Sequence, residues 1–235
     1  MNDDTVTGPS GSDASRPAGG HAVDPALQKE WDELYSAQER VWSGNPNGAL
    51  VVEAADLPPG RVLDVGCGEG ADAVWLARRG WDVTALEVST VALERAAAHA
   101  RDAGVSPRWV HSGLVEARLP QASFDLVSAQ YPALLRTPGG EAERVLLDLV
   151  APGGVLLFVH HAFSEDHGEH GDHHDHGEEG HRFDHADFVQ PPDVAALLDD
   201  RWEVEVNEQR PRVVAEHSSG AHHVEDVVLR ARRLR

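Results

Sequence analysis

The sequence predicts an α/β fold: a Rossmann-like, seven-stranded, mostly parallel sheet with an antiparallel edge strand and helices on both faces. Three observations carry this prediction. From Arg61 onward, short apolar runs alternate with helical stretches of about ten to fifteen residues, the pattern of a parallel sheet covered on both sides. The first apolar run leads into VLDVGCGEG, residues 62–70, where three glycines at alternate positions follow an aspartate. The last two apolar runs have no long helix between them, so they are expected to pair as an antiparallel hairpin at one edge.

Taken in order, residues 1–24 are rich in Gly, Ser, Asp and Pro with almost nothing to bury, and read as a disordered tail. Residues 25–235 read as one domain. A helical stretch starts at Pro25 and runs through PALQKEWDELYSAQERVW, with Leu27, Trp31, Leu34, Tyr35 and Gln38 at helical spacing; SGNPNG then breaks it. RVLDVG is the first strand. ADAVWLARRG is a helix ended by Gly80, WDVTALE a strand, and STVALERAAAHARDAG a helix with a Ser89 or Thr90 cap and a Gly104 stop. PRWVHS and SFDLVSAQ are the third and fourth strands. GEAERVLLDLVAPGG is a helix running into a Pro-Gly-Gly turn, and VLLFVHH is the fifth strand. PPDVAALLDD is the last helix, and WEVEVNEQ and HVEDVVLRARR are the closing strands.

Composition narrows the function. The chain has 235 residues, enough for one large domain, and no apolar run approaches the length that spans a bilayer. Cys67 is the only cysteine, which excludes an internal disulfide framework and a zinc site built on thiolates. A net charge of −20 argues against a nucleic-acid partner. A cytoplasmic protein with a small-molecule partner fits, and oligomeric state is not legible.

The glycine turn carries the chemistry. In an open α/β sheet, ligands bind beyond the carboxyl ends of the strands, where the winding reverses. Gly66, Gly68 and Gly70 let the backbone come close to a ligand there. The spacing is D-x-G-x-G-x-G, not the dinucleotide G-x-G-x-x-G, and no G-K-[ST] follows. Asp64 would repel a pyrophosphate but would attract a ligand bearing an ammonium and a sulfonium, as S-adenosylmethionine does. Glu87 ends the second strand, where a carboxylate can accept hydrogen bonds from both hydroxyls of an unphosphorylated ribose.

VLDVGCGEGADAVWLARRGWDVTALEVSTVALERA resembles the class I S-adenosylmethionine-dependent methyltransferases, and the likeness extends over roughly residues 29–160. It implies a seven-stranded sheet with strand seven antiparallel. It also implies that Asp64, Gly66, Cys67 and Gly68 line the methionine end and that Glu87 and Val88 stand at the ribose. Family members commonly offer an acid to the adenine after strand three. HSGLVEA has none at that place, so the contact falls to the backbone of Gly113 and Leu114 or to Glu116. WDELYSAQERVWSGNPNGAL is similar to the N-terminal lid of small-molecule methyltransferases near the thiopurine and tellurite-resistance groups. That likeness makes residues 25–48 a lid, with Trp31, Tyr35 and Trp42 as aromatic cover.

Methyl transfer is a direct displacement that needs alignment and exclusion of water, and a base only for a protonated nucleophile. Gln130 and Tyr131, at the end of strand four, are placed over the transferable methyl. His160 or His161, ending strand five, could face the same cavity, so Tyr131 and His160 are the catalytic candidates. No arginine stands out as a clamp for a phosphorylated or carboxylated acceptor. The insertion at 162–187 is crowded with histidine and acid. His167, His170, His173, His174, His176 and His181 suit Zn²⁺, Ni²⁺ or Cu²⁺ without being required for catalysis, or form a surface loop whose metal affinity is incidental. The expected activity is methyl transfer from S-adenosylmethionine to a heteroatom of a small molecule. The alternatives are a non-catalytic sensor of S-adenosylmethionine and metal, and a nicotinamide oxidoreductase, which the glycine spacing disfavours.

Overall fold

The computed structural model describes residues 23–162, 185–212 and 225–235. Residues 1–22 of the expected tail and the six candidate metal-binding histidines lie outside them, while the last two tail residues are ordered into the domain: Val23 is buried and the Asp24 carboxylate caps the first helix, accepting from Ala26 N (2.8 Å). The elements are α1 (Pro25–Ser36), α2 (Gly48–Glu53), β1 (Arg61–Val65), α3 (Ala71–Arg78), β2 (Asp82–Glu87), α4 (Thr90–Ala103), β3 (Arg108–His111), β4 (Phe124–Gln130), α5 (Glu141–Leu149), β5 (Val150–His161), α6 (Pro191–Ala195), β6 (Trp202–Pro211) and β7 (Glu225–Arg233).

The seven strands form one sheet in the order β3-β2-β1-β4-β5-β7-β6. The β1–β2, β1–β4, β2–β3 and β4–β5 pairs are parallel. The β6–β7 hairpin forms one edge as expected, and its β7 arm runs antiparallel to both β5 and β6. The winding therefore reverses between β1 and β4, which puts Asp64 and Gln130 on either side of the switch point. Two apolar cores cover the sheet. One gathers Leu63, Leu86, Val127, Leu146, Leu156 and Phe158; the other gathers Leu50, Val62, Leu76, Val83, Leu126 and Leu157. Leu63 faces one core and Val62 the other, the period-two alternation of a strand buried on both faces.

Four elements depart from the expected boundaries. The first helix stops at Ser36, and Arg95 binds its end, donating to Tyr35 O in the last turn (2.7 Å) and to Gln38 O just beyond it (2.6 Å). Beyond the SGNPNG break, residues 48–53 form a short helix, α2, to which the sequence pattern assigns no element. Its Glu53 pairs with Arg210 (2.7 Å), and Arg230 donates to the Glu53 carbonyl (2.7 Å), tying α2 to the hairpin. The fifth strand begins five residues before the expected Val155, at Val150. It carries the Pro-Gly-Gly turn as an irregularity, where a β-carbon on Gly154 would stand 3.0 Å from two β4 carbonyls. The last helix ends at Ala195, short of Asp200.

Gly70 shows what the third glycine of the turn does. It caps α3 in the left-handed region (φ 81°), and a β-carbon there would lie 2.7 Å from Ala96 Cβ on α4 and 3.0 Å from Trp109 on β3. Its bareness serves helix packing, not approach to a ligand. Gly70→Ala combines left-handed strain with overpacking, each costing about 1–3 kcal/mol. Denaturant unfolding should show a loss of about 2 kcal/mol or more; an unchanged midpoint would contradict this packing role.

Candidate functional site

Three carboxylates meet where β1, β2 and α3 converge. Asp64, near the end of β1, is 2 % exposed; Glu87, at the end of β2, is 6 % exposed; and Asp72, in the first turn of α3, is 5 % exposed. Parallel pairing brings the two strand ends together, and the glycine turn folds back over them: Gly66 N and Cys67 N both donate to Leu86 O (2.9 Å each). Glu87 accepts from the amides of Gly68 (2.9 Å), Val88 (2.8 Å) and Ser89 (2.9 Å). Asp72 accepts from Asn47 N and Asn47 Nδ2, both at 2.7 Å. Asp64 is different: its Oδ2 is buried and has no hydrogen-bond partner among the described residues.

Burial pushes Asp64 well above the usual carboxylate range, and the charges of Asp72 and Glu87 push it further. Burial also raises Asp72 against its bonds to Asn47, and raises Glu87 against its three amides. The arrangement is a dry, electronegative cleft. An ion taken out of water costs several kcal/mol. A cation about 4 Å away returns about 4 kcal/mol at the effective dielectric of a protein near its surface. The cleft therefore favours a ligand with positive charge at this point and opposes a pyrophosphate.

Two further acceptors extend the surface. Asp64 is in register with Ser128 on β4. Gln130, two residues on and so on the same face, donates from Nε2 to Ser128 Oγ (3.1 Å), while its buried Oε1 has no hydrogen-bond partner among the described residues. Beyond β3, the Ser112 amide donates to Glu87 O (3.1 Å), and Leu114 is buried. Glu116 folds back so that its carboxylate packs against Gly113. Glu116 thus brings an acid to the loop at the place where the family pattern has one and this sequence does not.

The N-terminal segment covers the turn. The Asp32 carboxylate on α1 accepts from Ser89 Oγ (2.7 Å) and Val91 N (3.2 Å), docking α1 on the start of α4. Glu69, inside the glycine turn, accepts from the amides of Val41 (3.2 Å) and Trp42 (3.1 Å) and pairs with Arg95 (2.8 Å). Trp42 Nε1 donates to Tyr35 Oη (3.0 Å). A β-carbon on Gly68 would lie 2.9 Å from that hydroxyl and 3.5 Å from Trp42 Nε1, so Gly68 must be bare for the two rings to close over the turn. Trp31 packs at the edge of this pair, its ring 6.0 Å from Tyr35. Gly66 (φ 70°) meets only ordinary contact, with Pro132 at 3.5 Å.

At the other end of the cleft, Tyr131 holds a left-handed backbone (φ 53°) that a tyrosine rarely adopts. Its ring stacks on His161, with centroids 4.3 Å apart, and the Arg212 guanidinium sits over it at 4.7 Å. His160 lies edge-on to Tyr131 at 6.4 Å. Asp226, at the start of β7, is 3.8 Å from both His161 Nδ1 and Arg212 Nε. The expectation of a cleft without arginine is corrected here: β6 delivers Arg212 to the same end as the ends of β4 and β5. Sequence reasoning also missed Asp226, which only the β5–β7 register sets opposite His161. Glu69 and Arg95 were missed as well, although an acid inside a glycine turn was a signal available for the first.

Residues 62–154 match the model of the methyltransferase domain family. That stretch, from β1 to the Pro-Gly-Gly turn of β5, is therefore similar to a methyltransferase domain. The chain is 37 % identical over 123 residues to an uncharacterized methyltransferase of Mycobacterium bovis, covering 52 % of this chain and 61 % of that protein. It is 33 % identical over 146 residues to a ubiquinone biosynthesis O-methyltransferase of Paracidovorax citrulli, covering 58 % and 61 %. The chain thus spans about three fifths of the length of these curated relatives. The fold is also that of the N-methyltransferase NodS from Bradyrhizobium japonicum, solved with S-adenosyl-L-homocysteine: TM-score 0.64, 17 % identity, 90 % of this chain and 100 % of that one. Among the described residues, no helix is long and apolar enough to cross a membrane, and no group of three or more His, Cys, Asp or Glu side chains could hold a metal ion.

Because burial and its neighbours raise Asp64, the folded protein without ligand binds that proton more tightly than the unfolded chain. This contribution to stability is fully present below the ordinary carboxylate pKa and is lost as pH rises through the raised value. A cationic ligand favours the ionised form, so ligand stabilisation should grow with pH. The rise in Tm on saturating with S-adenosylhomocysteine should be larger at about pH 7.5 than at about pH 5, and Asp64→Asn should flatten the difference. Equal increments in the wild-type protein would contradict the electrostatics described.

Proposed function

We propose that this protein transfers a methyl group from S-adenosylmethionine to a heteroatom of a small-molecule acceptor by direct displacement. The observation that carries this reading is the buried Asp64 Oδ2 without a partner, in a carboxylate cluster at the switch point of a methyltransferase sheet. A buried carboxylate oxygen needs a donor, and the ammonium of the cofactor's methionine moiety is one that also supplies charge. The residues present fit the group. Asp64 and Gln130 Oε1 would hold the ammonium, and the bare backbone of Gly66, Cys67 and Gly68 would admit the methionine chain. Glu87 would accept from the ribose hydroxyls through lone pairs its amide bonds leave over, with Val88 beside it. Gly113, Leu114 and Glu116 would meet the adenine.

When bound, the cofactor supplies an electrophilic methyl carbon on a sulfonium. The chain's own residues orient and shelter it. Residues 25–48 act as a lid, with Tyr35 and Trp42 closing over Gly68 and excluding water. Burial, and then Glu87, hold the Tyr35 phenol well above its ordinary range, so the lid offers a neutral hydroxyl. The acceptor would enter from the Tyr131 and His160 end. The heteroatom is supported by the O-methyltransferase named among the relatives. A single buried cysteine suits a cytoplasmic enzyme.

The test is a screen of hydroxyl, thiol, amine and metalloid acceptors that follows release of S-adenosylhomocysteine. Turnover of at least one class is expected, with Asp64→Asn binding S-adenosylhomocysteine about 10- to 100-fold more weakly, the value of a charge-assisted bond. If wild type does not bind S-adenosylhomocysteine, or binds NADH more tightly, the reading fails.

A further inference from the structure

The end of the cleft farthest from Glu87 holds three groups that could take a proton from an acceptor, and the structure separates them. His160 is 5 % exposed, and its Nδ1 accepts the backbone N–H of His161 (3.0 Å). Its lone pair is therefore committed, and the neutral ring carries its proton on Nε2. Tyr131 is held protonated: burial pushes its phenol above the ordinary range, against Arg212 and with Asp226. His161 is the third. Its Nδ1 stands 3.8 Å from the buried Asp226 carboxylate, within ion-pair range but beyond hydrogen-bond length, and the Tyr131 ring lies flat against it at 4.3 Å. A carboxylate this close favours the tautomer with its proton on Nδ1, a bond that would close with a small approach when an acceptor binds, and leaves Nε2 as the basic atom.

The strain on Tyr131 belongs to this arrangement. Its left-handed backbone, held by a bond from its amide to Val159 O (2.8 Å), puts the ring between the end of β4 and His161. Strain of this kind persists where the surroundings over-determine it, and such places cluster at working sites. Among the described residues, the charged and titratable groups around His161 are His160 on β5, Tyr131 after β4, Arg212 after β6 and Asp226 on β7. Arg212 also stands 3.8 Å from Asp226, so one carboxylate lies within ion-pair range of both the histidine and a fixed cation beside the tyrosine.

Resting on the reading of the protein as a methyltransferase, we propose that His161, positioned by Asp226, is the general base, and that the acceptor is a hydroxyl or thiol that is still protonated when it binds. The acceptor oxygen or sulfur forms its bond to the methyl carbon as the carbon–sulfur bond breaks, and that electron pair stays on sulfur. The acceptor's proton passes to His161 Nε2. The imidazolium is stabilised by Asp226 and returns its proton to solvent. Arg212 stabilises the negative charge that builds on the acceptor. An amine acceptor that binds already neutral, or a preformed anion, would have no use for this pair.

The test combines binding, spectroscopy and turnover. Calorimetry with S-adenosylhomocysteine on wild type, His161→Gln and Asp226→Asn checks that each variant folds and holds the cofactor site. Binding within about threefold of wild type is expected, because neither residue touches the Asp64 cluster. Nitrogen-detected histidine NMR on the S-adenosylhomocysteine complex should show neutral His161 with its proton on Nδ1. Its titration midpoint should fall in Asp226→Asn and return in Asp226→Glu. Turnover of phenols and thiols of graded acidity should drop about 10²-fold or more in His161→Gln, and most for the least acidic acceptors, as loss of a general base does. A proton on Nε2, an unmoved midpoint, an equal loss for all acceptors, or no turnover of any phenol or thiol by a protein that binds S-adenosylhomocysteine would overturn the proposal. Absent cofactor binding in wild type would instead fault the methyltransferase reading beneath it.

Discussion

The carboxylate of Asp64 is the constraint around which the rest of the site is arranged. Buried at the end of a central strand with one oxygen unpartnered, it makes the cleft hostile to phosphate and receptive to a cation. Its neighbours intensify the effect instead of relieving it, because Asp72 and Glu87 are also buried carboxylates. No buried basic side chain bonds directly to any of the three among the described residues. The positive partners they do have are backbone amides and the Asn47 side chain. Such groups offset part of the desolvation cost but do not neutralise the charge.

Acids also assemble the cover. Asp32 docks α1 on the cap of α4, Glu69 gathers the amides of Val41 and Trp42 with Arg95, and Asp72 holds Asn47 at the start of α3. Three carboxylates from separate elements thus fasten residues 25–47 over the glycine turn. The segment is bonded to the same turn that a ligand would touch, so its order and the occupancy of the cleft are physically coupled. The end of the cleft around Tyr131 follows a different logic. It is built by Tyr131 from β4, the two histidines of β5, Arg212 after β6 and Asp226 of β7. The hairpin contributes these groups without taking part in the β1–β2–β4 pairing that carries Asp64.

The strands, the cap at Ser89, the stop at Gly104 and the acid at the end of β2 were legible because each rests on local chemistry: period-two burial, a side-chain cap, a left-handed glycine. What could not be read depends on contacts between distant residues. Arg95 binds the end of α1 from 60 residues away. Asp226 meets His161 only because β7 inserts between β5 and β6. Gly70 looked like a ligand-facing glycine in a repeat of three, yet its β-carbon would strike Ala96. The histidine-rich stretch falls outside the described residues, and its metal reading rests on composition alone.

The central claim is that the cleft selects for positive charge at Asp64. Calorimetry comparing S-adenosylhomocysteine with 5′-methylthioadenosine tests it most directly, because the second ligand keeps the adenosine and the thioether but lacks the ammonium and carboxylate. The account predicts that S-adenosylhomocysteine binds about 10- to 100-fold more tightly to wild type and that Asp64→Asn removes most of this preference. Equal affinity of the two ligands for wild type, or a preference that survives intact in Asp64→Asn, would contradict it.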